Sequence, residues 1–206
     1  FRATVGGESE YLALFDGSGA KTASTADVDL RTVATQPSSA RADIETFEAP
    51  RTSARTYGSV TYSTCASFAG RAVPQELPAC SSLASAQVPH WTNVRFAGDV
   101  PATPVGRMLW TDDTGEIRVS VPAAQRDASG FTSLTFRAAA DESVPYGDGA
   151  DLVVTVIDAD GASTSIPVSE LNPAALTRMP QSTQNPTTLG KIVLQQVALP
   201  LADLTA

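Results

Sequence analysis

One histidine and two cysteines are all the imidazole and thiol that the 206 residues carry. With the cysteines paired, that inventory cannot build an ordinary tetrahedral zinc site. No Gly-x-Ser-x-Gly elbow occurs, so the strand-to-helix turn that exposes a hydrolase serine is missing. A Ser-His-Asp arrangement would have to use His90, which stands between Pro89 and Trp91. Packing or hydrogen bonding is the usual explanation of a histidine in that setting. Lysine is confined to Lys21 and Lys191, the net charge is -8, and no basic run exists. A surface that tracks nucleic-acid phosphates is thereby excluded. No apolar run approaches the 18 residues of a membrane-spanning helix. Fixed-period repeats are missing as well, which argues against a solenoid or propeller.

What is present is β-forming. Hydrophobic residues make up 42% of the chain and charged residues 17%, a globular balance with a Ser-, Thr- and Ala-rich surface typical of exported proteins. The centre of the pattern is Asp151–Val168 (DLVVTVIDADGASTSIPV), where an apolar run meets Asp160-Gly161 and a β-rich return. This combination predicts a hairpin with a buried inner face. Glu116–Val121, Ser133–Arg137 and Lys191–Leu199 are the expected sheet neighbours, with Leu134 and Phe136 facing inward. Ala42–Glu48 suits either a strand or one helical turn, and Trp110 in RMLW is expected in the core. The fold class expected is all-β: an antiparallel, jelly-roll-like β-sandwich preceded by a smaller irregular β-rich segment with one disulfide. The domain division expected is 1–86 for that segment and 87–206 for the sandwich.

Cys65 and Cys80 flank a loop that holds Gly70, Pro74 and Pro78. Two cysteines in so irregular a stretch read as a disulfide in an oxidising compartment, with two free buried thiols as the alternative. Closing such a loop stabilises by about 3 kcal/mol in the chain-entropy model. The start at Phe1, without Met or a leader, reads as a mature or cut product.

Candidate sites are sparse. Calcium needs only clustered oxygens, and Asp141, Asp148 and Asp151, with Glu142 nearby, share one loop with Gly147 and Gly149. A solvated acidic loop explains the same residues, and calcium is the sole cofactor considered. Asp158 and Asp160 read as turn residues. Aromatics number two Trp, four Tyr and seven Phe, several of which must fill the core. Trp91 and Tyr146 are the candidate ligand-contact aromatics for a polysaccharide or other polymer. No catalytic residue can be named.

Phe1-Arg2, Val5-Gly6-Gly7-Glu8, Cys65, Cys80, Pro89-His90-Trp91 and Leu199-Pro200-Leu201, in that order, carry a resemblance. The chain resembles the C-terminal region of large secreted actinobacterial α/β-hydrolases of the esterase or lipase kind. The resemblance implies a secreted, non-catalytic accessory domain that partners an upstream hydrolase domain of the same precursor. In that family the nucleophile, acid and catalytic histidine lie upstream of the matching region, so no position here inherits them. Two other roles fit the residues: a free-standing module binding glycan or cell-surface polymer, and an extracellular structural or assembly subunit.

Overall fold

The computed structural model describes residues 5–8, 11, 14, 21–28, 33, 35–47, 53–66, 104–140, 151–177 and 194–204. The chain is β-rich. Its strands are β1 (Ala54–Tyr57), β2 (Val60–Ala66), β3 (Pro104–Trp110), β4 (Glu116–Val119), β5 (Ser133–Ala138), β6 (Val153–Ile157), β7 (Ser163–Pro167) and β8 (Gln195–Pro200). Among the described residues, helix is limited to short 3-10 turns and the single turn α1 (Val168–Leu171). Among the described residues no helix is long and apolar enough to cross a membrane.

Chain contacts divide the molecule into two units that interleave along the sequence. One consists of Phe1–Arg41, Ser129–Pro180 and Ile192–Ala206, the other of Ala42–Ala128 and Gln181–Lys191. The domain boundary expected at 86–87 lies outside the described residues. Among the described residues all strand pairing is antiparallel: β1 with β4, β2 with β3, β5 with β8, and β6 with β7.

The first unit contains the predicted hairpin, β6–β7. Its turn runs Asp158–Gly161, with Gly161 N–H donating to the Asp158 carbonyl at 3.3 Å. Gly161 has φ +87, a conformation that suits glycine, so Asp160-Gly161 fill the third and fourth turn positions. The Asp158 carboxylate accepts from the N–H groups of Asp160 and Ala162 at 2.9 and 2.8 Å. Both aspartates are turn residues, as read from the sequence. The expected neighbours of the hairpin are corrected, however. Among the described residues no third strand joins β6–β7; β5 pairs with β8, and β4 belongs to the other unit.

The core of this unit gathers where the hairpin ends meet β8. Val168, Ala175 and Val197 are buried, with Phe136, Leu152, Val154, Leu171 and Leu176 packed around them. Alternation explains this: Leu152 and Val154 fall on one face of β6, while Val153 and Ile157 fall on the other and stay exposed. Phe136 lies across from Val197 and Leu134 across from Leu199, which fits their predicted inward face. Val197, Leu199 and Val168 are each fully buried, contributing about 2 kcal/mol apiece. Val168 N–H donates to the Leu152 carbonyl at 2.7 Å, and Asn172 Nδ2 donates to the Gln196 carbonyl at 2.8 Å.

The second unit is built on one long antiparallel ribbon, 54–66 against 104–119, with a joint in the middle. Tyr57 opposes Glu116, but the next pair is Val60 with Trp110. Two residues, Gly58 and Ser59, thus face the five of 111–115. The DDTG stretch is therefore a bulged loop inside a ribbon rather than a turn joining β3 to β4. The Asp112 carboxylate latches it, accepting from the Ser59 hydroxyl at 2.5 Å and from the Thr114 N–H and hydroxyl at 2.9 and 2.6 Å. Gly58 has φ +66, and a Cβ there would sit 2.0 Å from the Thr114 carbonyl oxygen. No other residue fits.

Leading into the ribbon, Ala42–Phe47 is neither strand nor helical turn. Its backbone is held by Glu45, whose carboxylate accepts from Phe47 N–H at 2.8 Å and from Ser53 N–H at 2.8 Å. Phe47 takes φ +58, which costs a non-glycine residue about 1–2 kcal/mol. The charge-assisted bond from Glu45 offsets part of that cost. The same geometry brings the Phe47 ring over Gly106, which it shares with the Tyr62 ring.

Candidate functional site

Of the residues singled out from the sequence, Asp141, Asp148, Cys80, Trp91, Tyr146 and His90 lie outside the described residues. Asp151 and Cys65 lie within them. Both oxygens of Asp151 are engaged: Oδ1 accepts from Leu152 N–H at 2.8 Å and Ser169 N–H at 3.2 Å, and Oδ2 from the Ser169 hydroxyl at 2.5 Å. Burial pushes this carboxyl up, but the Ser169 hydroxyl and the two N–H groups together hold it below its ordinary value. It ties the start of β6 to the first turn after β7. Among the described residues no group of three metal-ligating side chains converges. Cys65 is buried in β2, 2% exposed, and among the described residues no cysteine is free.

The serine–carboxylate contacts at Ser59–Asp112 and Ser169–Asp151 tie backbone segments together. An efficient general base has a pKa near the working pH. Hydrogen bonds from Ser59 and then Thr114 instead hold Asp112 below its ordinary value, so it is a weaker base than a free carboxylate. Both contacts are latches.

The β1–β4 half of the ribbon carries a different constellation. Alternation places Arg55 and Tyr57 on one face, directly opposite Arg118 and Glu116. The Arg118 guanidinium lies 4.7 Å from the centre of the Tyr57 ring. It also forks onto Glu116, Nε to Oε1 and Nη2 to Oε2 at 3.2 Å. That fork holds the Glu116 carboxyl below its ordinary value and raises Arg118. Arg55, across the ladder from Arg118, is exposed and has neither ion pair nor hydrogen bond among the described residues. Like charges directly opposite on an antiparallel pair destabilise it.

Arg55 lines an open depression of about 520 Å³ together with Ala54, Thr56, Tyr57 and Tyr62. Its tyrosines contribute aromatic surface, Thr56 a hydroxyl, and Arg55 an uncommitted fork of donors. Nearby, Trp110 is 40% exposed rather than in the core; it sits at the joint, on the last rung of the β2–β3 ladder opposite Val60. The sequence of Arg51–Thr64 reads as a plausible strand pair entering the cysteine loop, which gives Arg55, Tyr57 and Tyr62 no binding role. The readable signal was an arginine and a tyrosine two residues apart, hence on one face, followed by Gly58. No protein-family model, curated protein or solved structure matches this chain.

Proposed function

We propose that the chain is a non-catalytic accessory module of a secreted serine hydrolase of the esterase or lipase kind, which stabilises the enzyme or holds it near a polymeric substrate. The order of motifs from Val5-Gly6-Gly7-Glu8 to Leu199-Pro200-Leu201, without a nucleophile elbow, carries the reading. The latching role of each described serine–carboxylate contact agrees with it. The β-rich architecture is read as a jelly-roll-like sandwich, and Cys65 as the disulfide partner of Cys80. The burial of Cys65 supports that pairing, which would suit an oxidising compartment. Intact mass and N-terminal sequencing of secreted material should show an upstream hydrolase chain travelling with this one. Hydrolysis of p-nitrophenyl esters by the isolated chain, with labelling by an active-site serine probe, would overturn the proposal.

A second reading, a glycan- or polymer-binding module, is favoured by the exposed aromatics of the ribbon, Tyr57 and Trp110. Retention on insoluble polysaccharides, reduced in Trp110→Ala, is the expected result. No retention on any polysaccharide would remove it.

A further inference from the structure

We infer that the depression between Arg55, Tyr57 and Tyr62 is a subsite for a carboxylate-bearing sugar unit, such as a uronic acid residue within a glycan chain. Four observations converge on it. Arg55 faces Arg118 across one rung of the ladder, so its cross-strand neighbour repels it rather than engaging it. Arg118 is already satisfied by Glu116 and the Tyr57 ring, whereas the Arg55 fork has no partner among the described residues. The charged groups on this face are two guanidinium groups against the single carboxylate of Glu116, a local excess of positive charge on a protein of net charge -8. Finally, the depression, open and about 520 Å³ in volume, is bordered by the surfaces of Tyr57 and Tyr62.

A planar guanidinium pairs bidentately with a carboxylate, and a pyranose ring presents C–H groups to aromatic surface. A uronic acid unit uses both features at once. Inorganic sulfate would use only the arginine, and a neutral sugar only the rings. The inference supplies a ligand class and a location for the polymer-holding role, and so rests on that part of the proposed function. It is independent of attachment to a hydrolase.

The preformed Glu116–Arg118 fork has a further consequence for recognition. It pins Arg118 against Tyr57, leaving Arg55 as the mobile donor that selects the ligand. Arg55→Lys keeps the charge but loses the fork, so it should restore little.

Affinity electrophoresis of the intact chain in gels containing polygalacturonate, dextran or sodium sulfate tests the inference. Polygalacturonate should retard the protein and dextran should not, with excess sulfate competing weakly. The net negative charge repels polyanions in general, so retardation reports a local site. Arg55→Ala should weaken retardation at least tenfold, Arg55→Lys nearly as much, and Tyr57→Ala severalfold. Matching circular dichroism spectra and melting temperatures would confirm that these exposed substitutions leave the fold intact. The inference falls if polygalacturonate leaves the wild type unshifted, if Arg55→Ala is retarded equally, or if sulfate competes as well as the polymer. Retardation by dextran alone would remove this subsite while leaving the polymer-holding role standing.

Discussion

The two units are held together by different physics. Around β8, side chains are buried outright: Val197 and Leu199 are inaccessible, and even Gln195 and Gln196 are covered. In the β1–β4 ribbon, Cys65 is the one fully buried apolar side chain among the described residues. There, order comes from carboxylate latches, a bare glycine against a carbonyl, and rings laid over Gly106. A burial-dominated unit loses stability when volume is removed. A latch-dominated unit should lose it through backbone geometry, cross-linking and acid.

The sharpest way to break the contrast is Leu199→Ala, which should cost about 3–4 kcal/mol by urea denaturation, most of it from the cavity left behind. A result below about 1 kcal/mol would mean that β8 is not the core strand. In the ribbon unit, Cys65→Ser with Cys80→Ser should cost about 3 kcal/mol if the two are bridged. Thiol titration of the unfolded, unreduced chain should then find no free thiol. Gly58→Ala should cost about 2 kcal/mol or more, since both the positive φ and the Thr114 carbonyl oppose a Cβ. Gly161→Ala is the paired control: its φ is also positive, but nothing lies within 4 Å, so it should cost only about 1 kcal/mol. Equal costs at the two glycines would show that the joint yields freely.

The smallest expected effect is a pH dependence. Asp112 and Asp151 are both held below the ordinary carboxylate value in the folded state. Their contribution is therefore fully present above the unfolded-state value, near pH 4, and is lost as the pH falls through the depressed folded values. The urea midpoint should drop between pH 5 and pH 2.5, and Asp112→Ala should shallow that drop. An unchanged slope in this variant would mean the latch adds nothing to stability.

The hairpin at Asp151–Val168 was legible because every local rule agreed there: alternation, β-branched residues and a glycine where the turn needs positive φ. Pairing was not legible. Alternation in Glu116–Val119 and Ser133–Ala138 assigns faces but not partners, and both strands found partners far along the sequence, β1 and β8. The joint was hidden for a related reason, since DDTG has the composition of a hairpin turn whether or not its flanking strands pair. Ala42–Phe47 misled through its Glu45, which reads as a surface acid and in fact binds backbone at Phe47 and Ser53. For ligand contact the sequence pointed to Trp91 and Tyr146, which lie outside the described residues. The uncommitted charge of Arg55 arises only once β4 places Arg118 across from it.

The joint at 58–59 and 111–115 makes the ribbon tolerant of length changes at one place only. A residue inserted among 111–115 enters a loop that already lies outside both ladders, so the rungs on either side can keep their partners. The same residue inserted within 104–110 would slip the β2–β3 pairing by one and turn Met108 and Trp110 to the opposite face. The loop is accordingly the natural port for grafting a tag, a reporter or a second recognition peptide, free of the register of both ladders.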